Sequence, residues 1–131
     1  MTIVNAILMK EQHVLAVKRN TQPYKGMYAL PGGHVETGET KHEALIREIK
    51  EEINSEIRIE KHVGTVTERN MIVHFYTCKI IQQEPCKPNE EIADVKWMSI
   101  PEFIENLKQH HVESWEELEH ILHEQSSQVK I

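Results

Sequence analysis

Apolar and polar positions alternate from the start of the chain. "IVNAILM" and "HVLAVKR" read as two β-segments joined by the polar turn "KEQ". "NTQPYKGMY" interrupts the pattern, with Pro23 and Gly26 as turn residues. Pro31, Gly32, Gly33 and Gly38 keep "ALPGGHVETGE" out of regular helix. At Thr40 the period becomes helical. Thr40 and Glu43 make a capping box, and good helix formers continue to Ile53. On this helix Leu45, Ile46, Ile49 and Ile53 are expected on the core side, with Ala44, Glu48, Glu51, Glu52 and Ser55 opposite.

"EIRIEKHVGTVTE" and "MIVHFYTCKII" predict a long strand pair around a turn at Arg69-Asn70. "QQEPCKPNEE" reads as a loop, "ADVKWMS" as a short strand, and Pro101 as the start of the helix "PEFIENLKQ". A last helix is expected near Ser114, with Glu117 closing a second capping box and Trp115, Leu118, Ile121 and Leu122 as its apolar stripe. Residues from about 125 to 131 are expected to fray. Strands, helix, strands, helices imply an α/β or α+β sandwich, a mixed β-sheet between helices. Residues 1–131 are expected to form one domain.

Composition narrows the chemistry. The chain has 131 residues, 39% hydrophobic and 27% charged, which suits a globular protein with a real core. A formal net charge of −6 argues against a nucleic-acid polymer as partner, because phosphate neutralisation needs a basic surface. A small phosphorylated ligand stays open. No stretch approaches the roughly 20 apolar residues that span a bilayer, so no membrane partner is expected. "MTIVNAILMK" lacks a basic signal-type start, and two cysteines, Cys78 and Cys86, are too few for a disulfide framework. The expected compartment is the cytoplasm. Cys78 reads as a strand residue and Cys86 as a loop thiol.

Glu48, Glu51 and Glu52 share a helical face, where like charges three and four residues apart repel by a few tenths of a kcal/mol per pair, about the size of a favourable helix pair. They also sit toward the helix C-terminus, where the macrodipole disfavours anions. A solvated acidic face is the ordinary explanation. The alternative is a metal site: a glycine-rich turn precedes the helix, and grouped hard oxygens suit Mg²⁺ or Mn²⁺.

Gly33, five residues, Glu39, seven residues and then "REIKEE" from Arg47 to Glu52 closely resembles the MutT/Nudix box, G-x5-E-x7-R-E-U-x-E-E-x-G-U, over residues 33–55. The preceding "GMYALPGG" is similar to the usual entry to that box. Asn54 and Ser55 depart from it, standing where a glycine and an aliphatic residue are usual. Asn tolerates a left-handed helix end, and Ile57 is available to fill the aliphatic position.

The resemblance implies the Nudix α/β/α sandwich and hydrolysis of a nucleoside diphosphate linked to another group. Glu48, Glu51 and Glu52 would hold Mg²⁺, with Mn²⁺ as a substitute, helped by the carbonyl of Gly32. Glu48, then Glu52, are the candidate bases. Gly33, Glu39 and Arg47 would brace the loop against the helix. Glu91, in the acidic loop ahead of Trp97, is expected as a further ligand. The implied partner is a small nucleotide, foremost a nucleoside triphosphate, oxidised or not, with ADP-ribose or a nucleotide sugar as the alternative. A rival of another class is a catalytically silent sensor or protein-binding module, but such relatives typically lose a box glutamate or the arginine.

Arg19 and Arg69 are candidate phosphate contacts at strand ends, and Tyr28 a candidate stacking surface for a base. The nine histidines, His120, His123 and the His110-His111 pair among them, carry no fixed ligand spacing and read as solvated. A monomer or a homodimer is expected.

Overall fold

The computed structural model describes residues 1–87 and 92–128. In chain order it contains β1 (Thr2–Ile7), β2 (Met9–Lys10), β3 (His13–Arg19), β4 (Tyr28–Ala29), β5 (Gly32–His34), α1 (Lys41–Ile53), β6 (Glu56–Glu68), β7 (Met71–Gln82), β8 (Ile92–Ser99), α2 (Ile100–Gln109) and α3 (Trp115–Gln128). Where one mixed sheet was expected, the strands divide into two. The first runs β5-β1-β7-β6, with β1 parallel to β7 and the other pairs antiparallel. The second centres on β3, which pairs antiparallel with β2, β4 and β8.

Period-two alternation explains how both faces are filled. Ala6, Leu8, Leu15 and Val17 point into one core with Leu45, Ile49 and Ile53 of α1. Ile7, Val14 and Ala16 point into the other, with Phe103, Ile104 and Leu107 of α2 and Leu118, Ile121 and Leu122 of α3. β3 is buried on both faces from Val14 to Val17, as a central strand covered by helices must be. The outcome is the sandwich the element order implied: α1 on one side, α2 and α3 on the other.

Local signals hold at several junctions. Thr40 accepts from the Glu43 amide while Glu43 accepts from the Thr40 amide. Asn54 caps the helix in the left-handed conformation at φ 56° and donates its N–H to Lys50. Arg69 and Asn70 both take positive φ, which builds the tight β6–β7 turn. Cys78 is buried and Cys86 exposed.

Other expectations are corrected. Ile46 is 47% exposed and Ala44 fully buried, because the buried arc of α1 is centred between Leu45 and Glu52 rather than toward Ile46. Ser55 is also buried, and its hydroxyl donates to the Gln83 carbonyl at 2.9 Å, which satisfies it in an otherwise aliphatic position. Ile57 enters the α1 core as expected. Ser114 does not form the anticipated capping box: its N–H and hydroxyl both donate to Glu68 Oε1, at 3.0 and 2.7 Å. Of the stretch from about 125 to 131 expected to fray, residues 125–128 are helical and 129–131 lie outside the described residues. α3 continues through Gln128, with Gln125 and Ser126 buried and Ser126 hydrogen-bonded to Gln12.

Glu68 is thus a hub, since it also accepts from the Tyr24 hydroxyl at 3.1 Å and joins the hairpin end to the α3 entry. Glu68→Ala would orphan donors that are buried or nearly so, and should destabilise the fold by about 1–3 kcal/mol. Urea denaturation tests this: the midpoint should fall with the slope preserved, and an unchanged midpoint would refute the role.

Candidate active site

β5 places Gly32 and Gly33 beside β1, opposite Asn5 and Val4. A side chain at Gly32 would collide with the Val4 carbonyl and Asn5, and one at Gly33 with the Glu48 carboxylate. Glycine is therefore needed for the turn to pass between β1 and the carboxylate face of α1. From the other side, Glu52 Oε1 accepts the Gly32 N–H at 2.7 Å.

Arg47 organises this corner. Its Nε and Nη2 donate to both oxygens of Glu39 at 2.7 and 2.9 Å, a two-pronged pairing that suits guanidinium and carboxylate. Nη2 also donates to the His34 carbonyl at 3.2 Å, and Nη1 to Glu48 at 2.9 Å and Glu51 at 3.4 Å. Glu39 additionally accepts the Glu36 N–H at 3.0 Å. The arginine first, then this amide, pull the Glu39 carboxyl down to about 2. Arg47 and Glu39 thus tie the loop to α1, and Gly33 passes against the Glu48 carboxylate.

The other carboxylates shift the opposite way. Burial, followed by repulsion from Glu48, pushes Glu52 up to about 8, although the Gly32 amide and Arg19 oppose it. Burial also raises Glu48, against the pull of Arg47, and Glu51 adds to the rise. One guanidinium faces Glu39, Glu48 and Glu51 at hydrogen-bonding distance, and Glu52 stands beyond its contacts. Negative charge is left over.

A divalent cation fits that surplus by the chemistry of its donors, hard oxygens on one helix stripe beside a backbone turn. Among the described residues no three acidic or histidine side chains converge as they stand. Glu48 is turned to Arg47 and Glu52 to the Gly32 amide. Glu91 lies outside the described residues.

The substrate candidates are dispersed. Arg19 ends β3 near enough to Glu52 to influence its charge, and its Nε donates to the Pro23 carbonyl at 2.7 Å. Tyr28 belongs to the α2 side. Its hydroxyl donates to Asp94 at 2.6 Å, and its backbone N–H and carbonyl are both held by the Asn106 amide. Arg69 lies over the Tyr24 ring, 5.4 Å from its centre. Of the three, Arg19 is the one whose charge acts on Glu52, while Tyr28 and Arg69 find their partners elsewhere. The partnership of Tyr28 with Asp94 and Asn106 escaped sequence reading, because only strand register and the α2 packing bring these residues together.

The class of protein is now defined: an α/β/α sandwich with a glycine turn and an arginine-braced carboxylate helix. The family model of the NUDIX domain matches residues 1–121. An ADP-ribose pyrophosphatase of Methanocaldococcus jannaschii is 46% identical over 61 residues, 47% of this chain and 36% of that protein. A putative 8-oxo-dGTP diphosphatase of Bacillus subtilis is 32% identical over 96 residues, 71% of this chain and 62% of that protein. The matched part is thus less than two thirds of either relative. A NUDIX hydrolase structure from Nitrosomonas europaea superposes with a TM-score of 0.78 at 21% identity, covering 93% of this chain and 87% of that one. The chain belongs to the Nudix family.

The raised carboxyls make a pH prediction. A carboxyl whose folded pKa of about 8 exceeds its unfolded value near 4.5 favours folding while protonated, and that contribution is lost as pH rises from 4.5 through 8. In chelator, the melting temperature of the metal-free protein should fall over this window, and Glu52→Gln should flatten the slope. Equal slopes in both proteins would contradict the assignment.

Arg47→Lys keeps the charge but loses the fork. It should lower the melting temperature and weaken divalent-cation affinity by about 10-fold or more, as loss of an outer-shell partner does. Calorimetric titration with Mn²⁺ measures this, and unchanged affinity would remove the bracing role.

Proposed function

We propose that this protein is a Mg²⁺-dependent pyrophosphohydrolase acting on a nucleoside diphosphate linked to another group. The preferred substrate is a nucleoside triphosphate, oxidised or not, cleaved to the monophosphate and pyrophosphate. The observation that carries the proposal is the desolvated Glu48–Glu52 pair beside the Gly32–Gly33 turn, with Arg47 holding loop and helix together. A bound divalent ion supplies charge that offsets the diphosphate and makes the attacking water more acidic. Mn²⁺ is the natural substitute, since both ions favour oxygen donors.

The chain's own residues perform the rest. Glu48 or Glu52 accepts the proton of the attacking water, and a carboxyl raised toward neutrality suits that task. Arg19, beside Glu52, attracts the phosphate chain. Glu51, with its side chain 59% exposed, stands at the solvent edge where an additional ligand is easiest to recruit. Glu91 is proposed as the ligand from the following loop.

The triphosphate reading draws on the Bacillus subtilis relative, whose similarity runs well beyond the box. ADP-ribose is the second reading, favoured by the higher but shorter identity to the Methanocaldococcus jannaschii protein.

The test is hydrolysis of a panel of nucleoside triphosphates, oxidised dGTP, ADP-ribose and nucleotide sugars with Mg²⁺, the products identified by mass. Metal-dependent turnover that drops by about 10²-fold or more in Glu52→Gln is expected, the size of a lost acid–base group. Absence of turnover with the metal bound would point to a silent ligand-sensing module instead.

A further inference from the structure

An open cleft of roughly 660 Å³ lies at the first turn of α1, lined by Thr2, Val35, Glu39, Lys41, His42 and Tyr76. Glu48 and Glu52 stand 7 and 11 residues further along the helix, about 10–16 Å at 1.5 Å per residue. Of the cleft's lining, the hydrolytic reading uses Glu39, whose carboxylate is turned to Arg47, and leaves Lys41, His42 and Tyr76 without a role.

Its chemistry is that of an anion receptor. Lys41 is exposed and has no ion-pair partner among the described residues. The Thr40 side chain caps the Glu43 amide, which leaves the Lys41 and His42 amides of the first turn without an intrahelical acceptor. Tyr76 is only 5% exposed, yet its hydroxyl makes no hydrogen bond to any described residue. Among the described residues no fully buried side-chain polar atom lacks a partner. The Tyr76 hydroxyl is therefore not sealed from solvent, and the residue lines the cleft.

Two imidazoles flank the tyrosine ring edge-on, His42 at 5.3 Å and His62 at 5.1 Å. His62 in turn contacts His74 at 3.0 Å, and burial first, then the nearby charge of Lys41, hold the His74 imidazole below its ordinary value. The acidic groups at the rim are already occupied. Glu39 is paired with Arg47 and the Glu36 amide, and Glu43 accepts the Thr40 amide.

We propose that this cleft is a second site, independent of the divalent cation, that binds a phosphate-type oxyanion between Lys41, the first-turn amides of α1 and the Tyr76 hydroxyl. The anion is either free phosphate or the phosphate of a nucleoside monophosphate. The three rings beside it give the nucleotide an additional surface.

The test is a titration of the full chain in chelator, followed by amide chemical shifts, with inorganic phosphate in one arm and AMP in the other. The shifts are read residue by residue, so binding at the cleft is told apart from any binding at the Glu48–Glu52 corner. Saturable shifts centred on Lys41, His42 and Tyr76 are expected. Binding should weaken about tenfold, the equivalent of 1.4 kcal/mol, in both Lys41→Gln and Tyr76→Phe, the latter retaining the ring. Tighter binding of AMP assigns the site to nucleotides, and equal binding assigns it to phosphate. Absence of shifts at these amides, or shifts unaltered in both variants, would overturn the proposal.

Discussion

The guanidinium of Arg47 is the contact on which the rest of the site depends. It holds both oxygens of Glu39 and the carbonyl of His34 on the loop side, and Glu48 and Glu51 on its own helix. Its partners are partly shielded, with Arg47 26% and Glu39 18% exposed at the side chain. Remove it and the glycine turn loses its tether to α1 just where Gly33 meets the Glu48 carboxylate. Turn and helix then keep the Gly32 N–H to Glu52 hydrogen bond but lose the loop-side brace. A cation site shared between them, as proposed, would need both.

The arrangement also accounts for the cost of keeping glutamates together. Glu39 is driven strongly acidic, while Glu48 and Glu52 are driven the other way, first by burial and then by Glu51 on Glu48 and by Glu48 on Glu52. The carboxyl on the loop before α1 and those on the helix thereby differ, Glu39 held acidic by Arg47 and Glu48 and Glu52 raised. The α1 core buries Ala44, Leu45, Ile49 and Ile53 completely, and this packing offsets the local repulsion along the helix. If Glu52 binds the cation as proposed, fold stability and site reactivity are opposed there, since the proton that relieves the fold would have to leave first.

What sequence reading captured was local. The capping box at Thr40, the left-handed Asn54 cap, the Arg69-Asn70 turn and the spacing from Gly33 to Glu52 all depend on residues near one another in the chain. What it missed involves partners far apart. Ser114 belongs to Glu68, 46 residues away, and Tyr28 to Asn106, 78 residues away. Ile46 and Ala44 exchanged their expected places because the sheet beneath α1, not helical periodicity alone, decides which arc is covered. The division into two sheets likewise follows from β1 crossing to β7 while β3 turns to β8.

The central claim is that Glu48, Glu52 and the Gly32 turn converge on a divalent cation while Arg47 keeps hold of Glu39. Anomalous scattering from a crystal soaked in Mn²⁺ addresses it most directly. A peak bounded by the Glu48 and Glu52 carboxylates and the Gly32 carbonyl, with the Arg47–Glu39 pair intact, is the predicted result. A peak elsewhere, or an Arg47 released from Glu39 to make room for the ion, would contradict the account.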